Sequence, residues 1–286
     1  MTKPFRWSLS KREQLGSWPN YAYDAQAPTA DFLAQLREAA ARVLALSDGA
    51  DLAFIGRTPE NFFDYLSGAF AGLNNAPGLH LVQYSLRWAG NGGVESIAKK
   101  KRDALLTYFR DEGVDPASIA SQSRPLALVD FVAYGGTMET LVRLLKLQAE
   151  QDGVDWNAVQ RRLMIIGLTT RGKNSPNHWR WQQHQDWLHI APDMVIKNVS
   201  SEWDFILPLA NTRPKMTLPN HPGRWGEDEG RRMPPTADQL TALATALHLY
   251  DHGQTREERT ALAAEISRTH QVRQANTRAL ISLLKS

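Results

Sequence analysis

Apolar positions along the chain follow two rhythms that alternate. Short continuous runs, of the kind shown by strands buried on both faces, occur at Asp51 to Gly56, Leu79 to Leu86, Leu126 to Val129, Arg162 to Thr170 and Met194 to Val199. Between them come stripes spaced three and four residues apart, the mark of helices with one buried face. Phe32, Leu33, Leu36, Ala40, Val43 and Leu44 predict a helix over 31–46, with Thr29 or Asp31 to cap it. Phe62, Phe63, Leu66, Phe70 and Leu73 predict one over 61–73, and Ile97, Ala104, Leu105, Tyr108 and Phe109 one over 94–110. Met138, Leu141, Val142 and Leu145 mark a helix directly after Thr137. Strands that alternate with helices predict an α/β fold around a mostly parallel sheet with right-handed crossovers.

The two ends read differently. Residues 1–28 are aromatic and turn-rich, with Trp7, Trp18, Tyr21 and Tyr23, and predict an irregular arm. Residues 236–286 are helical. Thr236 to Gln239 and Thr255 to Glu258 both have the capping-box pattern. Apolar stripes follow at Leu240, Leu243 and Leu247, at Leu262 and Ile266, and at Val272, Ala275, Ala279, Leu280 and Leu283. These stripes can cover the core or meet a second copy of the chain in a homodimer. The expected organisation is an arm and helix over 1–47, a core over 48–210, and a loop and helical region over 211–286 packed on that core.

Composition narrows the chemistry. The 286 residues contain no cysteine, which excludes disulfides, thiolate metal sites and a cysteine nucleophile. A formal charge of +3 is mild; it favours anionic ligands and makes no case for nucleic acid. No apolar run reaches membrane-spanning length, and the start, Met1 to Trp7, has no apolar stretch of the secretory kind, so a cytoplasmic protein without a membrane partner is expected. There is no Gly-x-x-x-x-Gly-Lys-Ser/Thr loop, no Gly-x-Ser-x-Gly elbow and no His-Glu-x-x-His. His178, His184, His189 and His221 match no usual zinc spacing.

The most informative stretch runs from Arg124 to Leu145. An apolar strand ends in one carboxylate, Asp130; Gly135, Gly136 and Thr137 follow; a helix begins at once. In open α/β sheets ligands bind beyond the carboxyl ends of strands, and glycines at a helix start let free N–H groups approach an anion. This stretch resembles the phosphoribosyl-pyrophosphate (PRPP) loop of the type I phosphoribosyltransferases. That loop has an apolar strand, two adjacent acids, three linking residues and a Thr-Gly-Gly-Thr turn. Here the first acid falls on Val129 and the first threonine on Tyr134, while Asp130, Gly135, Gly136 and Thr137 match.

The resemblance implies a type I phosphoribosyltransferase sheet and an enzyme that transfers phosphoribose from PRPP to a nitrogen heterocycle and releases pyrophosphate. Asp130 would hold the ribose hydroxyls as the catalytic carboxylate. Gly135, Gly136 and Thr137 would cradle the 5′-phosphate; a side chain at Gly136 would fill the phosphate's space, and would be strained as well if φ is positive there. Mg2+ would bridge diphosphate and ribose without a direct protein ligand. Arg57 and Thr58, after the first strand, stand where the family has its pyrophosphate loop. Ala89 to Gly93 and the run Lys99, Lys100, Lys101 and Arg102 stand where it has a mobile basic segment. Thr169 to Lys173 end a third strand on the same edge. Residues 174–235, with Trp179, Trp181, Trp187, Trp203 and Trp225, would form an aromatic hood that stacks on the acceptor base or packs on the sheet. The alternative is a non-enzymatic sensor of the same fold that binds a phosphorylated ribose.

Overall fold

A computed structural model describes residues 4–18, 27–86, 93–170, 180–227 and 235–286. Tyr21, Tyr23, Ala89 to Gly92, Arg171 to Lys173, His178 and Trp179 lie outside the described residues.

Five strands form one sheet, all parallel, in the order β2-β1-β3-β4-β5: β1 (Asp51–Ile55), β2 (Leu79–Val82), β3 (Leu126–Phe131), β4 (Leu163–Thr170) and β5 (Val195–Ser201). Side chains leave a strand alternately on its two sides, so a wholly apolar strand needs cover on both. Ala127 and Val129 accordingly enter one core cluster, and Leu126 and Leu128 the other.

The first cluster is covered by α1 (Ala30–Ser47), α2 (Glu60–Ala69), and the closing helices α9 (Arg256–Ser267) and α10 (Ala275–Lys285). The second is covered by α3 (Lys99–Asp111), α4 (Pro116–Ser121), α5 (Gly136–Asp152) and α6 (Trp156–Gln160). A short helix, α7 (Trp203–Leu207), follows β5, and α8 (Ala237–Gln254) packs along α2. The first cluster runs from Phe32 to Leu284, so helices from both ends of the chain share it with the strands. Among the described residues no helix is long and apolar enough to cross a membrane.

The structure departs from the sequence pattern at several elements. β2 stops at Val82 because the next backbone groups bond to side chains: the Gln83 N–H donates to the Tyr108 hydroxyl at 2.8 Å, and its carbonyl accepts from Asn220 Nδ2 at 2.8 Å. The segment expected as a helix over 94–110 divides into a 3-10 turn, Val94–Ser96, and α3. The short helices α4 and α6 escape the apolar pattern but carry start signals: Asp115 and Asp155 each cap with the side chain, and Pro116 sits at the first helical position.

At the C-terminal end Thr236 and Gln239 make a full capping box. Thr255 caps α9, but the Glu258 carboxylate turns inward to accept from the Tyr65 hydroxyl at 2.6 Å and Arg37 Nη1 at 2.7 Å. The buried face of α10 is Thr277, Leu280, Ile281 and Leu284, spaced for one helical face; Ala275 and Ala279 are exposed. The arm packs Trp7, Leu9 and Leu15 on Leu243 and Leu247 of α8.

Candidate ligand site at the carboxyl edge

The strand order places a switch point between β1 and β3. From β1 the chain crosses to β2 on one side, then returns to β3 on the other, so the crossovers diverge and leave a crevice beyond the strand ends. The register pairs Phe54 with Val129, so the loop after Ile55 and the turn after Phe131 flank the same crevice.

The turn after β3 is built on Gly135. Its φ is +84°, and a Cβ there would lie 2.8 Å from Trp181 Cε3. An L side chain is strained at this φ, and the indole already fills the space, so glycine is required on both counts. Gly136 differs from Gly135. It is the first residue of α5, its φ is not positive, and a Cβ there would meet nothing within 4 Å. No side chain caps α5, so the N–H groups of its first turn are open to an anion.

The first turn is held from behind. The Thr140 hydroxyl donates to the Gly136 carbonyl at 2.9 Å, and the Tyr84 hydroxyl donates to Thr140 Oγ1 at 2.9 Å. Tyr84 is buried and stacked on Trp225, and burial raises its pKa, so it stays a donor. Thr137 is half-buried at the rim, and Tyr134 is 70% exposed.

Asp130 is only 7% exposed. Its Oδ1 accepts from the Phe131 N–H at 2.7 Å. Burial holds its pKa well above the usual carboxylate range, and the Phe131 hydrogen bond offsets this in part. Asp130 pairs in register with Gly167, which has no side chain to stand beside it. Two residues on, Thr169, next to last in β4, is fully buried, and its hydroxyl has no hydrogen-bond partner among the described residues. Val129, at the position of the family's first acid, points to the opposite face and is packed in the first core cluster.

Across the switch point, Arg57 and Thr58 are half-buried in the loop after β1. Glu60, at the start of α2, is buried; its carboxylate accepts from the Met216 N–H at 3.0 Å and the Thr217 hydroxyl at 2.9 Å. This ties the 213–217 loop to the crevice and brings in Lys215. The Lys215 ammonium has no hydrogen-bond partner among the described residues. Its pKa is lowered first by burial; Arg57 and Arg213 lower it further, and Glu60 and Asp64 raise it. Asp64 is ion-paired with Arg6, yet burial pushes its pKa up to about 6. Arg57 Nη1 donates to the Thr217 carbonyl at 3.4 Å.

The other expected residues are placed less centrally. Lys99 and Lys100 are exposed in the first turn of α3, where Lys99 pairs with Asp103 at 2.6 Å. Trp181, Trp187 and Trp225 are buried in the second core cluster, so they pack the hood onto the sheet and do not present a face for stacking. Trp203 is 58% exposed, beyond β5. Among the described residues no three His, Asp or Glu side chains converge as a metal site.

Sequence reasoning did not find Lys215, Arg213, Glu60 or Thr169. Lys215 and Arg57 are far apart in the chain, and the link between them is a buried glutamate at a helix start, which has no signature in sequence. Thr169 lay within the strand-end loop already singled out, but its orphaned hydroxyl shows only in three dimensions.

Fold and crevice together define an α/β protein with an open, all-parallel five-stranded sheet covered by helices on both faces. Comparison with protein-family models, with curated proteins and with solved structures found no match for this chain.

Proposed function

We propose that the protein is phosphoribosyltransferase-like: it binds PRPP or a nucleoside 5′-monophosphate at the β1/β3 switch point and transfers phosphoribose to a nitrogen heterocycle. The observation that carries this reading is the uncapped start of α5 behind a glycine turn; beside the Arg57 loop stands Lys215, whose ammonium has no hydrogen-bond partner among the described residues. Both features favour anions, and they flank one crevice.

In this reading the N–H groups of Gly136, Thr137 and the first turn of α5 bind the 5′-phosphate. Lys215 and Arg57 bind the diphosphate. Asp130 holds the ribose hydroxyls; its carboxyl, once charged, also stabilises the positive charge that grows on the ribose as the bond to pyrophosphate breaks. The new bond forms from C1 of the ribose to a ring nitrogen, which gives up its proton. Magnesium, which binds through substrate oxygens and water and needs no protein cage, would enter with the diphosphate near Asp130 and would neutralise the charge of the leaving group.

Incubation with Mg2+, PRPP and a panel of purine, pyrimidine and other heterocyclic bases should release pyrophosphate. The non-enzymatic sensor is the second reading, and Val129 favours it: a carboxylate there would face the apolar cluster, so the first acid of the family's pair has no place on this strand. Binding of PRPP without turnover on any base would support the sensor. No binding of any phosphorylated ribose would overturn both.

A further inference from the structure

β5 is an edge strand, and its outer side pairs with no strand among the described residues. An open edge is a template for pairing with another chain, and folded proteins cover it or blunt it. The exposure of β5 is uneven. Val199 is buried in the first core cluster, but Val195 and Lys197, on the same side of the strand, are exposed. On the other side Ile196 packs against the second cluster, and Asn198 Oδ1 accepts from Trp181 Nε1 at 2.7 Å, so that side is taken. Val195, 43% exposed, stands at the start of the strand, and Trp203, the other exposed apolar group nearby, stands just past its end.

At that end, α1 and the junction of β5 with α7 enclose a cavity of about 310 Å3. Asp31 and Glu38 of α1, with Glu202 and Asp204, set four carboxylates there against the single guanidinium of Arg42. Arg42 is already engaged, by Glu38 and by the Ser200 carbonyl. The edge thus carries an apolar group and a cation toward its start, and anions and an apolar group at its end. Such an order is complementary to itself when reversed, as a two-fold contact between identical chains requires.

We infer that β5 pairs antiparallel with β5 of a second copy of this chain, so that two five-stranded sheets join into one. Directly opposite residues of an antiparallel pair share a face. Val195 and Lys197 lie on the α1 side, which is also the side of the acidic cavity, so each lysine is carried toward the partner's cavity. A crossing at Lys197 would set two ammonium groups against each other, which is destabilising. A crossing at Val199 sets Lys197 opposite Ser201 of the partner subunit and brings Val195 beside the partner's Trp203. A lysine in an edge strand ordinarily keeps the edge from pairing. Here the acids give it a counter-charge in one register and so select that register. The C-terminal helix offers no rival face, because Leu280, Ile281 and Leu284 are buried in the first cluster of their own chain.

The test is sedimentation of the full chain over a dilution series. The natural chain should be a dimer that dissociates on dilution. Lys197→Glu sets like charges against the partner's acids and should raise the dissociation constant tenfold or more. Trp203→Ala should act in the same direction. Both side chains are exposed, so the circular dichroism of each variant should match that of the natural chain. Lys197→Glu combined with Asp204→Lys exchanges the charges and should recover the dimer. The inference is overturned if the natural chain is monomeric at every concentration, if its dimer is indifferent to both single variants, or if the charge exchange does not recover it.

Discussion

Asp130 ends a buried strand with one backbone hydrogen bond, and its carboxyl is easier to protonate folded than unfolded. The folded state therefore binds the extra proton, and stability falls as pH rises from the unfolded value, about 3.9, toward the raised folded one. Asp130→Asn removes that dependence. Below about pH 4 the two proteins should melt alike, since the free aspartate is then protonated in both states. As pH rises the asparagine protein should become progressively the more stable, as read by melting temperature across a pH series. A constant difference would mean that Asp130 is not held neutral. Asp64 acts in the same direction between its ordinary value and about 6, and is present in both proteins, so it cancels in the comparison. The same proton has a functional consequence: binding of Mg2+ and PRPP, if it needs the charged carboxylate, should strengthen with pH in the natural chain and stay flat in Asp130→Asn.

At the scale of elements, the tightest joint is the crossing of α2 and α8. A Cβ on Gly68 would overlap the Tyr250 carbonyl, and one on Gly253 would overlap the Tyr65 carbonyl, so the two backbones touch. Gly68→Ala gains helix propensity, about 1 kcal/mol, but must push α8 away from the core. The second effect should win: overpacking of this kind costs about 1–3 kcal/mol or more, and here the obstacle is backbone that cannot rotate aside. Urea denaturation should show the midpoint falling with the slope unchanged. Much of the element plan was legible. Each strand was read to within a few residues, because a strand buried on both faces leaves a continuous apolar run, and the stripe Met138, Leu141, Val142 and Leu145 lies buried as read. Gly68 and Gly253 were not legible: a glycine within a helix looks the same whether it faces water or another helix. The same holds for Gly135 and Gly136, whose adjacency in sequence hides opposite geometries, one left-handed against an indole and one helical and open.

Over the whole molecule, the first core cluster joins Phe32 to Leu284, so the last helix belongs to the folding unit. Leu280, Ile281 and Leu284 are buried, and each side chain is worth about 1.5–3 kcal/mol on removal from water. Their sum is comparable to the stability of an ordinary domain, about 5–15 kcal/mol. Deletion of residues 275–286 should therefore abolish the cooperative unfolding transition seen by circular dichroism; a sharp transition in the truncated chain would show that α10 is an appendage. The candidate site is legible in part at this scale. The glycine turn and its acid stand out because they are contiguous, whereas the cations opposite them arrive from loops more than a hundred residues apart, and only the fold joins Lys215 to Arg57. The central claim is that the start of α5 holds a phosphate. Gly136 is the position to probe, because a side chain there meets open space and a helical φ, so the fold tolerates it while the phosphate is blocked. The decisive measurement is calorimetry of Gly136→Val with a nucleoside 5′-monophosphate and with the matching nucleoside. The monophosphate should lose at least tenfold in affinity and the nucleoside should bind as before; equal affinities of the natural and variant chains for the monophosphate would place the phosphate elsewhere and contradict the account.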